Sequence, residues 1–157
     1  MLIYRTPCLI TEFLYLFLVM SKIKFQSIFR WLATLFFVVA GLLHFIIPEF
    51  YLAMMPPFIP FQQFFIIVSG IAEAAGAIGI QIPRFRKLAG IGLIVLLVAI
   101  FPANIYVAIV NPVIPNLEYS ASGMWWRLLL QPIFIAWIWW VSVKRNDQLI
   151  MDNENNK

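Results

Sequence analysis

Charged residues are scarce in this chain: 11% of its 157 residues are charged, whereas 63% are apolar. A soluble domain carries about 25% charged and about 45–50% apolar residues, and a chain of this size cannot hide so much apolar surface from water. The composition therefore excludes a soluble globular protein and a disordered chain. The length fits one domain, and four membrane spans of about 20 residues each would occupy most of it.

Cysteine and histidine are almost absent. The sequence has one cysteine, Cys8, and one histidine, His44. A single thiol excludes an internal disulfide, a redox-active cysteine pair and a cysteine metal cage. A single histidine likewise excludes a site with several histidine ligands. Because the sequence also lacks a glycine-rich phosphate loop and paired metal carboxylates, we predict no metal site.

Four long apolar runs divide the chain. They cover residues 27–47, 61–82, 88–110 and 124–143. Each run is long enough to cross a bilayer as a helix, and none shows the alternation of a membrane strand. We therefore predict an all-α membrane protein, a four-transmembrane-helix bundle that ends in a polar tail over residues 144–157.

Basic residues mark one side of the predicted bundle. The side that both termini share holds Lys22, Lys24, Arg30, Arg84, Arg86, Lys87, Lys144 and Arg145. The opposite connections hold Glu49, Glu118 and Arg127. By the positive-inside rule, both termini are cytoplasmic. Membrane orientation thus explains the net charge of +4, and we predict the lipid bilayer, not a nucleic acid, as the partner.

Residues 1–26 fit the four-span pattern poorly and form a predicted N-terminal extension. Their apolar part, Leu9–Met20, is too short for a span and contains Glu12. Three interpretations stay open: a weak signal peptide, a fifth span that would invert the terminus, or a true start at Met20. With a start at Met20, Cys8 would be absent from the mature protein.

Glu73 lies near the middle of the second predicted span, about 18 Å from its outer end at ~1.5 Å per residue. Its helical neighbours Ser69, Gly70, Gly76 and Ala77 form a face of small residues, which typically packs against other helices. An ionisable group in hydrocarbon costs several kcal/mol, so we expect Glu73 to point into the bundle. It is then either a protonated structural carboxyl bonded across helices, or a proton relay or anchor for a polar ligand.

Polar residues of the other spans lie at a similar height. His44 is in the first span, Asn104 in the third, and Arg127 and Gln131 in the fourth. Prolines inside the third and fourth spans also free backbone carbonyls there. Because the spans alternate in direction, these residues and Glu73 share the outer half. They form either a network that holds the helices together or a small pocket open to the outer face.

Two of these residues have simpler interpretations when each is taken alone. A lone histidine such as His44 is commonly a satisfied partner between helices, although imidazole also titrates near neutral pH and can donate a proton. Arg127 alone reads as an interfacial cation whose stem lies in the apolar region.

The connection at residues 48–60 is unusually apolar, and it fits either a lid over a lipophilic ligand or an interfacial segment.

Four sequence blocks follow one another in a recognisable order. They are Ala40–Phe45, Ser69–Glu73, Phe101–Tyr106 and Arg127–Pro132. Together they resemble the DoxX-like family of bacterial inner-membrane proteins, over about residues 29–143. The resemblance implies a four-helix membrane bundle with both ends inside, and it implies that His44, Glu73 and Asn104 belong to recurring motifs of the family.

The resemblance also implies a functional class. Members of the wider family are associated with quinone-linked sulfur oxidation, as small subunits of thiosulfate:quinone oxidoreductase, and with thiol-redox membrane complexes. We therefore expect a subunit or partner of a quinone-linked redox system, with a quinone as the candidate cofactor and an oxidoreductase subunit as the candidate partner. The cysteine pairs of methylamine-utilisation relatives are missing here, so a dithiol mechanism is not implied.

Two alternatives belong to other classes. One is a membrane assembly or interaction protein without chemistry of its own, in which the polar residues only fix the helix register. The other is a proton-coupled transporter, which the lack of an internal repeat disfavours. A homo-oligomer is compatible with each of these, and the sequence does not decide whether the protein is an enzyme.

Overall fold

The computed structural model describes residues 6–110 and 121–144, with side chains for residues 25–110 and 125–144. These residues form helices joined by turns, and they contain no strand. The helices are α1 (Thr6–Ile46), α2 (Pro48–Ala53), α3 (Gln62–Gly79), α4 (Arg86–Val110) and α5 (Ala121–Ile138), and α5 continues into a π-helical segment, Trp139–Val143. The all-helical prediction is confirmed for the described part of the chain.

Four of these segments are long and apolar enough to cross a membrane. They are Phe25–Ile46, Gln62–Gly79, Arg86–Val110 and Trp125–Val143. Large apolar side chains cover the outside of the bundle, where for example Leu88 is 70% and Ile109 is 71% exposed. Such a surface is stable against lipid chains but not against water. By length and composition, the chain has the four spans of a multi-pass membrane protein, as predicted.

Helix α1 runs without interruption through the predicted N-terminal extension into the first span. The sequence holds neither proline nor glycine between residues 8 and 40, so nothing in it breaks the helix. The backbone at Met20 therefore lies inside a continuous helix, and no break marks the boundary predicted at residue 26. The connection at residues 111–120 and the tail from residue 145 lie outside the described residues.

Helices α1 and α3 share the most extensive contact in the bundle. A Cβ atom placed on Gly41 would lie 2.6 Å from the carbonyl oxygen of Gly70 and 3.1 Å from the backbone nitrogen of Ala74. Small residues let membrane helices approach to this distance. This contact sets the face of α1 that carries His44 against the face of α3 that carries Glu73.

The segment between α1 and α3, residues 47–61, folds over one end of the bundle, which we call the pocket end. Helix α1 stops before Pro48, because a proline restricts the residue before it and cannot continue the helix. Pro48 then begins α2, whose following residue Met54 is buried against Val107 of α4. Phe61 adopts a left-handed conformation with φ of 53° just before α3. The segment thus covers the bundle mouth, while Phe58 stays 78% exposed.

The opposite end of the bundle, which we call the basic end, holds a second polar cluster. Arg30 was predicted to flank the first span, but its side chain is buried within it and donates from Nε to Oε1 of Gln81 at 3.4 Å. Gln81 donates from Nε2 to Oγ1 of Thr34 at 2.7 Å, and Thr34 donates to the carbonyl of Ala77 at 3.1 Å. Arg86 donates from Nε to the carbonyl of Ile80 at 3.0 Å.

An apolar core lies between the two ends. Its buried members are Ala33, Phe37, Ala77, Ile80, Leu93, Leu97 and Ile138. They come from α1, from α3 and the residue after it, from α4 and from α5, so the core joins the four long helices and reaches the basic end. Within the described residues, this core separates the basic end from the polar groups of the pocket end.

Candidate functional site

A cavity of about 190 Å³ lies inside the bundle, beneath the segment of residues 47–61. Each long helix lines it with polar or small residues: Ala40 and His44 from α1, Ser69 and Glu73 from α3, Ala103 and Asn104 from α4, and Arg127 from α5. The residues from α1 and those from α3 are four positions apart, so each pair shares one helix face. Four of the five residues that the sequence singled out thus line one cavity, and Gln131 does not.

Glu73 is a buried carboxylate in the cavity wall, with 6% of its surface exposed. Within the described residues its Oε2 atom has no hydrogen-bond partner. A buried polar atom without a partner costs about 1–3 kcal/mol, so such atoms are rare in proteins and call for a physical reason. The interpretation of Glu73 as a carboxyl bonded across helices requires a partner, and the Nδ1 atom of His44 lies 3.8 Å from Oε2, too far for a hydrogen bond.

The orientation of the His44 ring follows from its backbone contact. Its Nδ1 atom lies 2.8 Å from the carbonyl oxygen of Ala40. Because a carbonyl oxygen can only accept, Nδ1 carries the proton, and Nε2 of the neutral ring holds a lone pair. The N–H of His44 is therefore donated to Ala40, and its Nε2 atom is available as an acceptor.

Tyr51 forms an aromatic wall that the sequence did not predict as part of the site. Its ring stacks on that of His44 with centroids 3.8 Å apart and planes at 22°, and its hydroxyl donates to the carbonyl of Ala40 at 3.5 Å. The helix ends between these two residues, so helical spacing gives no sign of the contact. Met54 and Met55 of the same segment also line the cavity.

Gln131 lies behind the cavity and holds Asn104 in place. Asn104 donates from Nδ2 to Oε1 of Gln131 at 2.9 Å, and Gln131 donates from Nε2 to the carbonyl of Leu97. Pro102 of α4 removes the helical hydrogen bond to the carbonyl of Val98. The acceptor that Gln131 uses is the carbonyl of the preceding residue, Leu97. This chain of bonds joins α4 to α5 and leaves one N–H and the carbonyl oxygen of Asn104 for a ligand.

We expect Gln131→Leu to lower the free energy of unfolding by about 1–2 kcal/mol, since it removes two hydrogen bonds between membrane helices. Unfolding in mixed micelles with increasing dodecyl sulfate measures this. Asn104→Leu and the double variant complete a double-mutant cycle. Strictly additive effects of the two substitutions would contradict a shared network.

Arg127 joins α5 to the segment that covers the cavity. Its Nη1 atom donates to the sulfur of Met54 at 2.7 Å, and its guanidinium lies 5.8 Å from the centre of the Phe50 ring. No ion pair joins Arg127 to Glu73 among the described residues. Arg127 thus lines the mouth of the cavity, with its cation on aromatic and sulfur partners and not on a carboxylate.

Metal ligation was not predicted from the sequence. In residues 6–110 and 121–144, no three side chains of the types His, Cys, Asp and Glu stand close enough to hold a metal ion. The cavity instead combines one carboxylate, one imidazole, one amide and an aromatic wall. This set can bind a small ring that carries oxygen atoms, and it can exchange protons with it.

Comparison with known proteins identifies a family but no activity. The family model for a domain of unknown function (DUF8561) matches residues 32–142, a stretch that includes every residue of the cavity. No curated protein and no solved structure matches the chain. On the strength of a match over more than half of its length, the chain belongs to the DUF8561 family.

Proposed function

We propose that the chain is a DoxX-like protein of the bacterial inner membrane, a subunit or partner of a quinone-linked redox system whose cavity binds the ring of a quinone. The observation that carries this proposal is Glu73, a buried residue of the cavity wall whose Oε2 atom lacks a hydrogen-bond partner among the described residues. The sequence blocks that resemble the DoxX-like family support it independently, since they contain Glu73 and six further cavity residues.

The size of the cavity supports a single-ring ligand. Cavities for drug-sized ligands measure about 300–1,000 Å³, whereas an apolar cavity of roughly 150 Å³ accepts benzene. The cavity of about 190 Å³ therefore fits one six-membered ring with small substituents. Larger planar cofactors exceed it.

The chemistry of the cavity wall also fits. A bound quinone supplies two-electron, two-proton chemistry, with the electrons exchanged with a partner oxidoreductase subunit. His44 and Glu73 can each gain or lose a proton, and Nδ1 of His44 lies 3.8 Å from Oε2 of Glu73. His44 is also packed against the flat Tyr51 ring. The amide of Asn104, fixed by Gln131, orients a ring oxygen. The segment over the bundle mouth limits access of water.

We assign the pocket end to the outer face and both termini to the cytoplasm. The support is the positive-inside rule, because Arg84, Arg86 and Lys87 lie at the basic end, beside Arg30 and Lys144. The apolar core below the cavity favours a site reached from one side only. It therefore argues against the proton-coupled transporter, which needs access from both sides. The membrane assembly protein stays the second candidate. The effects of Glu73 variants on binding and on stability distinguish it from a quinone-binding protein.

Quinone titration tests the proposal. In detergent micelles, we expect a short-chain benzoquinone to quench the protein's fluorescence with a saturable, single-site curve. His44→Ala should weaken binding by about tenfold, corresponding to about 1.4 kcal/mol, because it removes a ring of the cavity wall and its stack on Tyr51. Leu42→Ala, an exposed position on the same helix, is the control and should leave binding unchanged.

A flat titration of the wild-type protein would contradict the proposal. So would equal affinities of the wild type and His44→Ala, since quinone would then bind elsewhere on the apolar surface.

A further inference from the structure

Helices α1 and α5 form the least closed seam of the bundle. The pairs α1 with α3, α3 with α4, and α4 with α5 all pack closely. In contrast, α5 approaches α1 chiefly through the π-helical segment Trp139–Val143 at the basic end. The two helices therefore meet at one end and are less tightly joined toward the pocket end.

Aromatic rings fill the lower part of this seam. Phe134 of α5 stacks on Phe36 of α1 with centroids 4.8 Å apart, and it meets Phe37 at 6.1 Å. Nearer the basic end, Trp137 meets Phe29 at 6.5 Å. These rings form a shelf across the gap, and its upper edge is the pair of Phe36 and Phe134.

Above the shelf the seam leads into the cavity. One helical turn beyond Phe36 and Phe134 lie Ala40 on α1 and Leu130 on α5. Ala40 lines the cavity, and Leu130 is 41% exposed. Among the described residues, no ring contact joins α1 to α5 at this level. One further turn along α5, toward the pocket end, lies Arg127, which lines the cavity from the other side of the seam.

We infer that the cavity opens sideways to the bilayer between Ala40 and Leu130, and that its ligand is an amphiphile whose hydrocarbon tail lies in this seam. The inference rests on the proposed function. It adds that the ligand carries a hydrocarbon tail and that the ligand enters the cavity from the bilayer. The cavity holds one ring and has no room for a tail, so the tail of a lipid-soluble ligand must leave it. The seam is the gap that both touches the cavity and is lined by apolar side chains along its length.

The orientation of the ligand follows from the same residues. The ring lies toward Glu73 and His44, and the tail leaves past Ala40 onto the shelf of Phe36 and Phe134. Arg127 stands at the upper rim of the opening, where a cation can stay near the headgroups while its stem lies in the apolar region.

Two quinones with the same ring test the inference, one with a decyl tail and one with a methyl group in its place. In micelles, the wild-type protein should bind the decyl compound at least about tenfold more tightly. Leu130→Trp fills the seam and should remove this advantage while changing the affinity for the methyl compound by less than about twofold. Leu130→Phe, a smaller obstruction, should reduce the advantage in part.

Leu129→Trp is the matched control. Leu129 is the neighbouring residue on α5, about 100° around the helix, and it is 58% exposed. The same substitution there should leave both affinities unchanged. Gel filtration of each variant records whether the protein stays folded and whether its oligomeric state changes.

The outcomes separate the two proposals. If the wild type binds neither compound, the proposed function fails. If it binds both equally, or if Leu130→Trp weakens both equally, the sideways opening is overturned while the quinone site stands. If Leu130→Trp instead alters the oligomeric state and leaves both affinities as they were, a second copy of the chain covers the seam, which also overturns the inference.

Discussion

Glu73→Gln should weaken binding of the reduced quinol by about tenfold or more while leaving the free energy of unfolding unchanged or higher. A hydroxyl of the quinol can donate to the Glu73 carboxylate, and a hydrogen bond to a charged group contributes about 1.5–3 kcal/mol, which corresponds to roughly 10–150-fold in affinity. The substitution keeps the size of the side chain and removes its charge. In the free protein it breaks no hydrogen bond to Oε2, because that atom has none among the described residues. Binding and stability should therefore change independently.

Binding and unfolding measurements together distinguish a ligand-binding role of Glu73 from a purely structural role. Titration with a short-chain quinol and unfolding with dodecyl sulfate are carried out on the same preparation. If Glu73 only fixes the helix register, Glu73→Ala should lower the yield of folded protein and leave the activity of any partner intact. Glu49→Gln makes the same change on α2, outside the cavity lining, and should alter neither quantity. A stability loss in Glu73→Gln with unchanged affinity would exclude the carboxylate as a ligand group.

Gly41→Ala should destabilise the bundle by about 1–3 kcal/mol, as overpacking a close contact does. The new methyl would lie 2.6 Å from the carbonyl oxygen of Gly70 and 3.1 Å from the nitrogen of Ala74. Both are backbone atoms of α3, so the helices must separate to make room. This cost exceeds the gain of up to about 1 kcal/mol that alanine brings over glycine inside a helix. His44 lies one turn from Gly41, so quinone binding should weaken as well.

Gly92→Ala is the control within the same bundle. Nothing lies within 4 Å of the position where its methyl would be, so the substitution should be neutral or stabilise the protein by up to about 1 kcal/mol. The difference between the dodecyl sulfate midpoints of unfolding of Gly41→Ala and Gly92→Ala reports how closely α1 and α3 pack at Gly41. Similar midpoints for the two variants would contradict the close approach at Gly41.

The four spans and much of the cavity could be predicted because they depend on local properties. Helix length and apolar composition are properties of single segments. The face of α3 that carries Ser69 and Glu73 follows from helical spacing. The alternating direction of the spans then places His44, Asn104 and Arg127 at the same height.

Contacts made by the covering segment could not be predicted in this way. The stack of Tyr51 on His44 depends on how the chain turns after Ile46, and periodicity carries no information across a helix break. The contact of Arg127 with Met54 joins residues far apart in the sequence. The burial of Arg30 was missed for a related reason: a cation near a span end reads as a flanking residue, whereas Gln81 and Thr34 allow its burial.

On the proposed function, the apolar core beneath the cavity would give proton exchange at this site a direction. Protons released from a ligand beside Glu73 and His44 would meet packed alkyl and aromatic side chains on the way to the basic end, and they would return to the compartment they came from. Redox turnover in the cavity would therefore acidify or alkalinise one side of the membrane only. Any charge separation across the bilayer would have to come from the path of the electrons.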